Sequence, residues 1–377
     1  MLWQRTLFLE FSNRPSEAVA TGEEAVALAR SLGLEEQLAF SLNDIASLYT
    51  GVGRVEDGLR AAAEAQELWI KMGNLPMLTD ILSNTSMMYG IRGEPEKALA
   101  ASDEAYSISV RIGNAWGQSF SRMFIGFVYL NRGEFGRALE IMERSIADAE
   151  RAGFMAPQVF LRAQLGVTFA YLGAVAEGIR LVERSLQKAA SGLPTWSWSG
   201  IAFMAEIQAR NGDPLGAFRI LDQGIPRELT VAATWSFVFF PIQLVQARVE
   251  LGLGKAEEAV KLAQSLHGDL EAAGVFLFRA EALHIVGQAL AALGQTDEAI
   301  QTLTRSLEVA GRMENRRVLW EIHLDLAQFY PETSSQRAEH LRAARETLEY
   351  IAAHIGREPR RETFLNLPRV RQALGQP

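Results

Sequence analysis

Seven glycines, Gly53, Gly93, Gly133, Gly173, Gly212, Gly254 and Gly294, recur along this chain at spacings of 40, 40, 40, 39, 42 and 40 residues. Self-similarity at a period between 20 and 50 residues marks a stack of identical supersecondary units, none of which can bury its apolar face without its neighbours. A length of 377 residues would ordinarily suggest two or three domains. The unbroken period instead predicts one elongated all-α array of antiparallel helical hairpins.

Alignment on the glycines shows what each unit is made of. Seven places earlier stand Ala46, Ser86, Gly126, Gly166, Ala205, Ala247 and Gly287, small residues that let two helices approach closely. Five places later come Gly58, Ala98, Ala138, Gly178, Ala217, Ala259 and Ala299, and twelve later Ala65, Ala105, Ser145, Ser185, Gly224, Leu266 and Ser306. Rings at Tyr49, Tyr89, Tyr129 and Phe169 fill the layer between hairpins, and later units carry Gln208, Glu250 and Leu290 there. The turn glycine falls where the first helix must stop, a place that usually needs a left-handed residue. A second set, Gly33, Gly73, Gly113 and Gly153, closes the second helix at the same period. Leu42, Ile45, Ala46 and Tyr49 share one face at helical spacing. After residue 190 the pattern weakens. Core places of the seventh unit fall on Gln243, Gln246 and Glu250, which predicts a register slip of one residue.

These residues resemble the tetratricopeptide repeat, whose motif has a large apolar residue, a small one, an aromatic, a turn glycine and two later small residues in this order. GEPEKALAASDEA at 93–105 and GEFGRALEIMERS at 133–145 are close to that family's second helix. The 40-residue unit is similar to the carboxy-terminal repeat regions of large bacterial signalling proteins with ATP-binding, cyclase or DNA-binding domains upstream. The tail RETFLNLPRVRQAL at 361–374 is similar to their final segment. The resemblance implies a right-handed α-solenoid of about eight or nine repeats, at roughly 1–33, 34–73, 74–113, 114–153, 154–192, 193–232, 233–274, 275–313 and, degenerate, 314–355, with a capping tail over 356–377. Asn13 occupies a turn-glycine place, with Ala18 and Ala25 at the two later small places. That leaves no cap before the first unit, so the chain is expected to be part of a longer one.

In this family the first helices line a concave groove at their second, fifth, sixth and ninth places. Carried over, these hold Phe40, Asn43, Asp44 and Ser47; Asp80, Ser83, Asn84 and Met87; Phe120, Met123, Phe124 and Phe127; Phe160, Ala163, Gln164 and Val167; and Ser199, Ala202, Phe203 and Glu206. Asn43, Asn84, Phe120, Met123, Phe124, Phe127, Phe160, Gln164 and Phe203 are the candidate partner-binding residues. The absence of Lys and Arg at these places from 40 to 206 argues against a clamp for a terminal carboxylate. Burying three phenylalanines contributes on the order of 5 to 9 kcal/mol, of which ordering a flexible peptide costs roughly 2 to 5. The same rings at helical spacing fit core packing equally well. Trp196, Trp198, Trp235 and Phe239 form a second aromatic candidate region, dense in residues common at binding hot spots.

Composition narrows the partner. With 37 basic and 45 acidic residues and a net charge of -8, the chain lacks the cationic face that nucleic acid requires. There are no cysteines, and MLWQRTLFLEFSNRP lacks the features of a signal peptide, so a cytoplasmic location is expected. The most apolar window, Val231 to Val245, is broken by Thr234, Ser236, Pro241 and Gln243 and reads as a buried helix, not a membrane span. No nucleotide loop, hydrolase elbow or HExxH occurs; GLGK at 252–255 lacks the long phosphate loop. His267, His284, His323, His340 and His354 are scattered, and His284 alone falls at a groove place. The expectation is a non-catalytic protein- or peptide-binding scaffold without cofactor or metal, a sensor or partner-binding module of a larger bacterial regulator. The alternative is self-association into a homodimer through the repeat ends, exposing an edge of Leu2, Trp3, Leu7 and Phe8.

Overall fold

The computed structural model describes residues 2–12, 14–193, 196–226, 229 and 236–376. Among them the chain is helical from end to end. The hairpins pair α1 (Leu2–Phe11) with α2 (Pro15–Ser31), α3 (Glu35–Gly51) with α4 (Val55–Met72), and α5 (Leu75–Ile91) with α6 (Pro95–Arg111). The fourth is α7 (Ala115–Arg122) and α8 (Ile125–Asn131) against α9 (Phe135–Ala152). Then follow α10 (Met155–Tyr171) with α11 (Val175–Ala190), α12 (Ser197–Arg210) with α13 (Pro214–Gly224), α14 (Ser236–Gly252) with α15 (Ala256–Ala272), and α16 (Arg279–Ala292) with α17 (Thr296–Arg312). The last pair is α18 (Arg316–Ala327) and α19 (Ser335–Ala353), over which the short α20 (Glu358–Leu365) and α21 (Pro368–Ala373) fold back.

Both glycine series are left-handed. The seven turn glycines have φ between 72° and 89°, and Gly33, Gly73, Gly113 and Gly153 lie at 66° or 67°. Small residues are required where helices touch: a Cβ on Gly178 would stand 2.4 Å from the Gly166 carbonyl oxygen. The place twelve after the glycine does more than stay small. Ser145, Ser185 and Ser306 each donate from Oγ to the carbonyl 26 residues earlier, of Ser119, Val159 and Ala280, at 2.9, 2.6 and 2.7 Å. This pins one helix of a hairpin to its mate.

One expectation about register needs correction. Ala247 is fully buried and Gly254 has φ 77°, so the seventh unit is not slipped. Its core falls on Ile242, Val245 and Val249, with Gln243, Gln246 and Glu250 half-buried beside it. Of the window 231–245, residues 231–235 lie outside the described residues and the rest begins α14, with Pro241 inside it. The first helix of the fourth unit is broken. Met123 N donates to Phe120 O (3.1 Å) and Phe127 N to Phe124 O (3.2 Å), three-residue bonds that tighten the chain between α7 and α8.

The solenoid coils until its later units rest on its earlier ones. A Cβ at Gly53 would meet Ala273, and one at Gly93 would meet Met313, contacts 220 residues apart in each case. Farther along, Gly133 faces Ile351 and Gly173 faces Thr363 in α20. Phe276 N and Leu277 N both donate to Ile91 O (2.9 and 3.1 Å), Gly136 N donates to His354 O (2.7 Å), and Ser236 Oγ to Thr50 O (3.1 Å). One hydrophobic core accordingly joins Ala39–Ile108 to Phe239–Ala299, and another joins Met123–Leu172 to Trp320–Ala373. A concave groove was the expectation; the contact between turns encloses it.

Candidate functional site

Six phenylalanines from both halves wall a cavity of about 90 Å³: Phe124, Phe127, Phe160, Phe203, Phe240 and Phe278. The break between α7 and α8 aims Phe124 and Phe127 inward. Phe124 lies 5.6 Å from Phe160, and Phe127 meets Phe278 edge-on at 6.1 Å. Phe278 holds φ 72° just before α16, a strained conformation for a bulky side chain. The two hydrogen bonds to Ile91 O fix the adjoining loop residues, which is how the first half keeps this ring in place.

A second cavity, about 50 Å³, shares Phe127, Gln164, Phe203, Pro241 and Phe278 with the first and adds Glu206, Arg248, Glu281 and Arg317. A third, about 490 Å³, shares Tyr171, Glu206, Arg248 and Arg317 with the second. Beyond them it reaches Arg210, Trp320, Glu321 and Arg369. The three form a channel that is apolar at one end and densely charged at the other. Residues six places before successive turn glycines, Met87, Phe127, Val167, Glu206 and Arg248, run along it as one column.

Comparison with known proteins bears on what such a coil is. Residues 282–317 match the tetratricopeptide-repeat family. A Rap protein solved in complex with competence and sporulation factor superposes with a TM-score of 0.57 at 11% identity, covering 89% of this chain and 98% of that one. The Cut9–Hcn1 hetero-tetramer of APC/C gives 0.54 at 16%, covering 94% of this chain and 58% of that one. One repeat of the chain thus matches the tetratricopeptide-repeat family, and the solved structures share its all-α solenoid fold. No curated protein matches the chain.

The charged end of this repeat protein's channel is a paired network. Glu206 accepts from Arg210 Nε (2.6 Å) and Arg248 Nε (3.1 Å), while Glu321 accepts from Arg210 Nη1 (3.1 Å). Burial pushes the Glu206 carboxyl up, but Arg248 and Arg210 override it and hold it at about 2. Burial likewise opposes ionisation of Glu321, which Arg210, Arg369 and His284 bring down to about 2. Arg317 reaches across the turns, donating to Asn131 Oδ1 (3.2 Å), Tyr171 OH (2.9 Å) and Glu281. His284 bonds Asp325 through Nε2 at 2.7 Å, and Arg369 brings α21 onto the same carboxylate. Among the described residues no three His, Asp or Glu side chains are placed to hold a metal ion, and no helix is long and apolar enough to cross a membrane.

Of the candidate residues, Phe124, Phe127, Phe160, Gln164 and Phe203 line the channel. Asn43 does not: it is 2% exposed, donates to Asp80 Oδ2 (2.6 Å) and accepts from Trp69 Nε1 (3.3 Å). Asn84 and Met123 are buried away from the three cavities, and Phe120 packs on Trp116 and Phe154 at 4.9 and 6.0 Å. Trp196 sits edge-on to Phe160 at 6.1 Å, Trp198 packs beside Ala202 and Leu221, and Phe239 belongs to the core. Trp235 lies outside the described residues. Arg248, Arg317, Arg210 and Glu321 were missed. The signal for Arg248 was present: it occupies the ninth groove place one unit after Glu206.

Proposed function

We propose that this chain is the partner-binding or sensor module of a larger bacterial signalling regulator, and that it takes an extended peptide or a small effector into the aromatic end of its channel. The observation carrying this reading is that five residues assigned to the groove meet phenylalanines from the later repeats around one cavity. A folded domain is too large for that space, whereas a side chain or small molecule fits it. The likeness to a Rap protein complexed with competence and sporulation factor supports a receptor role. A ligand touching both turns of the coil would bias their spacing, so occupancy would change superhelix curvature and pass to attached domains.

The test is affinity selection from a mixture of hexapeptides and a bacterial metabolite extract, read by mass spectrometry. Phe127→Trp puts added volume into the cavity where it meets the second one. Ligands retained by the wild type are expected to be lost in the variant, with melting temperature changed by no more than about 2 °C. Identical retention by the two proteins would remove the channel as the site. Self-association is the second reading, favoured by Phe8 at 66% and Leu32 at 61% exposure near the first hairpin. A mass by light scattering that stays at 41.6 kDa through a concentration series would eliminate it.

A further inference from the structure

Three polar groups around the middle cavity are unfinished. Gln164 is 1% exposed, and neither its amide nitrogen nor its oxygen has a partner. Glu281 is 2% exposed; its Oε1 accepts from Arg317 and from Asn315 Nδ2 (3.3 Å), while Oε2 has none. Arg248, whose side chain is 15% exposed, is engaged through Nε on Glu206, and among the described residues its two terminal amino groups have no hydrogen-bond partner. Buried polar groups are ordinarily paired, because an unmade hydrogen bond costs the whole desolvation of the group. All three residues line the same cavity of about 50 Å³, and it opens onto the phenylalanine chamber.

The charge of that wall specifies more. Its ionisable members besides Tyr171 are Glu206, Glu281, Arg248 and Arg317, two of each sign. A ligand carrying a single net charge would therefore unbalance a desolvated site. What remains unsatisfied is one guanidinium edge, one carboxylate oxygen and one amide. A zwitterion supplies a carboxylate to the first and an ammonium to the second, and either end can bond the Gln164 amide. Beside these, the chamber of about 90 Å³ lined by phenyl rings suits an aliphatic or aromatic side chain. We propose that the middle cavity binds a free apolar α-amino acid, its side chain among the phenylalanines and its charged head between Arg248 and Glu281. The wide third cavity shares Glu206, Arg248 and Arg317 with the site and provides the approach.

This inference rests on the channel being a ligand site and names the ligand class. The experiment is isothermal titration of the full chain with L-phenylalanine and L-leucine, alongside 3-phenylpropanoate and phenethylamine, each of which keeps one charge and loses the other. L-phenylalanine or L-leucine is expected to bind, and each singly charged analogue to be at least about tenfold weaker, the loss of one charge-assisted bond. Gln164→Leu should weaken amino-acid binding by about tenfold at unchanged or raised melting temperature, because it removes an amide that has no partner in the free protein. An analogue binding as well as the amino acid overturns the proposal in favour of an organic acid or an amine. Failure of both amino acids to bind, with the Phe127→Trp-sensitive ligands of the affinity selection still retained, overturns it and leaves the channel reading standing. Loss of both results removes the two together.

Discussion

Gly133 combines two costs that comparison with Gly294 separates. Its φ is 78°, and a Cβ there would lie 2.7 Å from Ile351 Cγ1 and 3.3 Å from Arg316 Cβ, both on the last hairpin. Carbon atoms are comfortable at about 3.5 to 4.0 Å, so the last hairpin must move or the fourth must bend. Gly133→Ala thus incurs a left-handed backbone term of about 1–2 kcal/mol and an overpacking term of about 1–3 kcal/mol. Gly294 is the control: its φ is 77° and nothing lies within 4 Å of an added Cβ, so Gly294→Ala incurs the backbone term alone. The difference of about 1–3 kcal/mol is the contact between superhelical turns. Urea unfolding of both variants, followed by circular dichroism and tryptophan fluorescence, measures it from midpoints at matched m-values. Ile351→Ala in the Gly133→Ala background should recover part of the loss in a double-mutant cycle. Equal destabilisation by the two single variants would refute the closure of the coil, and with it the enclosure of the channel.

Two further outcomes follow from buried charge. The Glu10 carboxyl is raised from 4.5 to about 7 by burial, then by Asp44 and Asp80. Being neutral in the folded chain and ionised in the unfolded one between those values, it makes stability fall as pH rises from about 4.5 to 7. Glu10→Gln should then stabilise at pH 8 by on the order of 1 to 3 kcal/mol and do nothing below pH 4, as thermal melts across pH would show; an equal gain at both ends would mean packing, not charge. Arg317→Ala strands Glu281 and breaks a link between turns, so it should lower stability by about 3–5 kcal/mol. Pairing it with Glu281→Leu should return a large part of that, and no recovery would contradict the pairing.

Local chemistry made the hairpins readable. A left-handed glycine at each turn, a small residue seven places before it and, in three units, a serine twelve after act within about 26 residues of chain, and leave a periodic mark. The groove places were readable for the same reason, since a helix face repeats with its helix. Phe124, Phe127, Phe160, Gln164 and Phe203 came from laying the groove places that the family resemblance implies onto that periodicity. Phe120 and Asn43 shared it and turned elsewhere, Phe120 onto Trp116 and Asn43 onto Asp80 and Trp69. Periodicity identifies a face but not what the face meets.

The amino-acid sequence by itself therefore determined the repeat and its turns, and the family resemblance supplied the face of each first helix expected to look inward. The tertiary structure alone decided that Gly53 meets Ala273, that Arg317 crosses to Asn131, and that a concave groove becomes a channel with one aromatic and one charged end. The physical reason is that coil closure depends on a small rotation summed over five or so repeats. No single unit carries a residue pattern that records the sum, and the contacts it creates join positions about 200 residues apart.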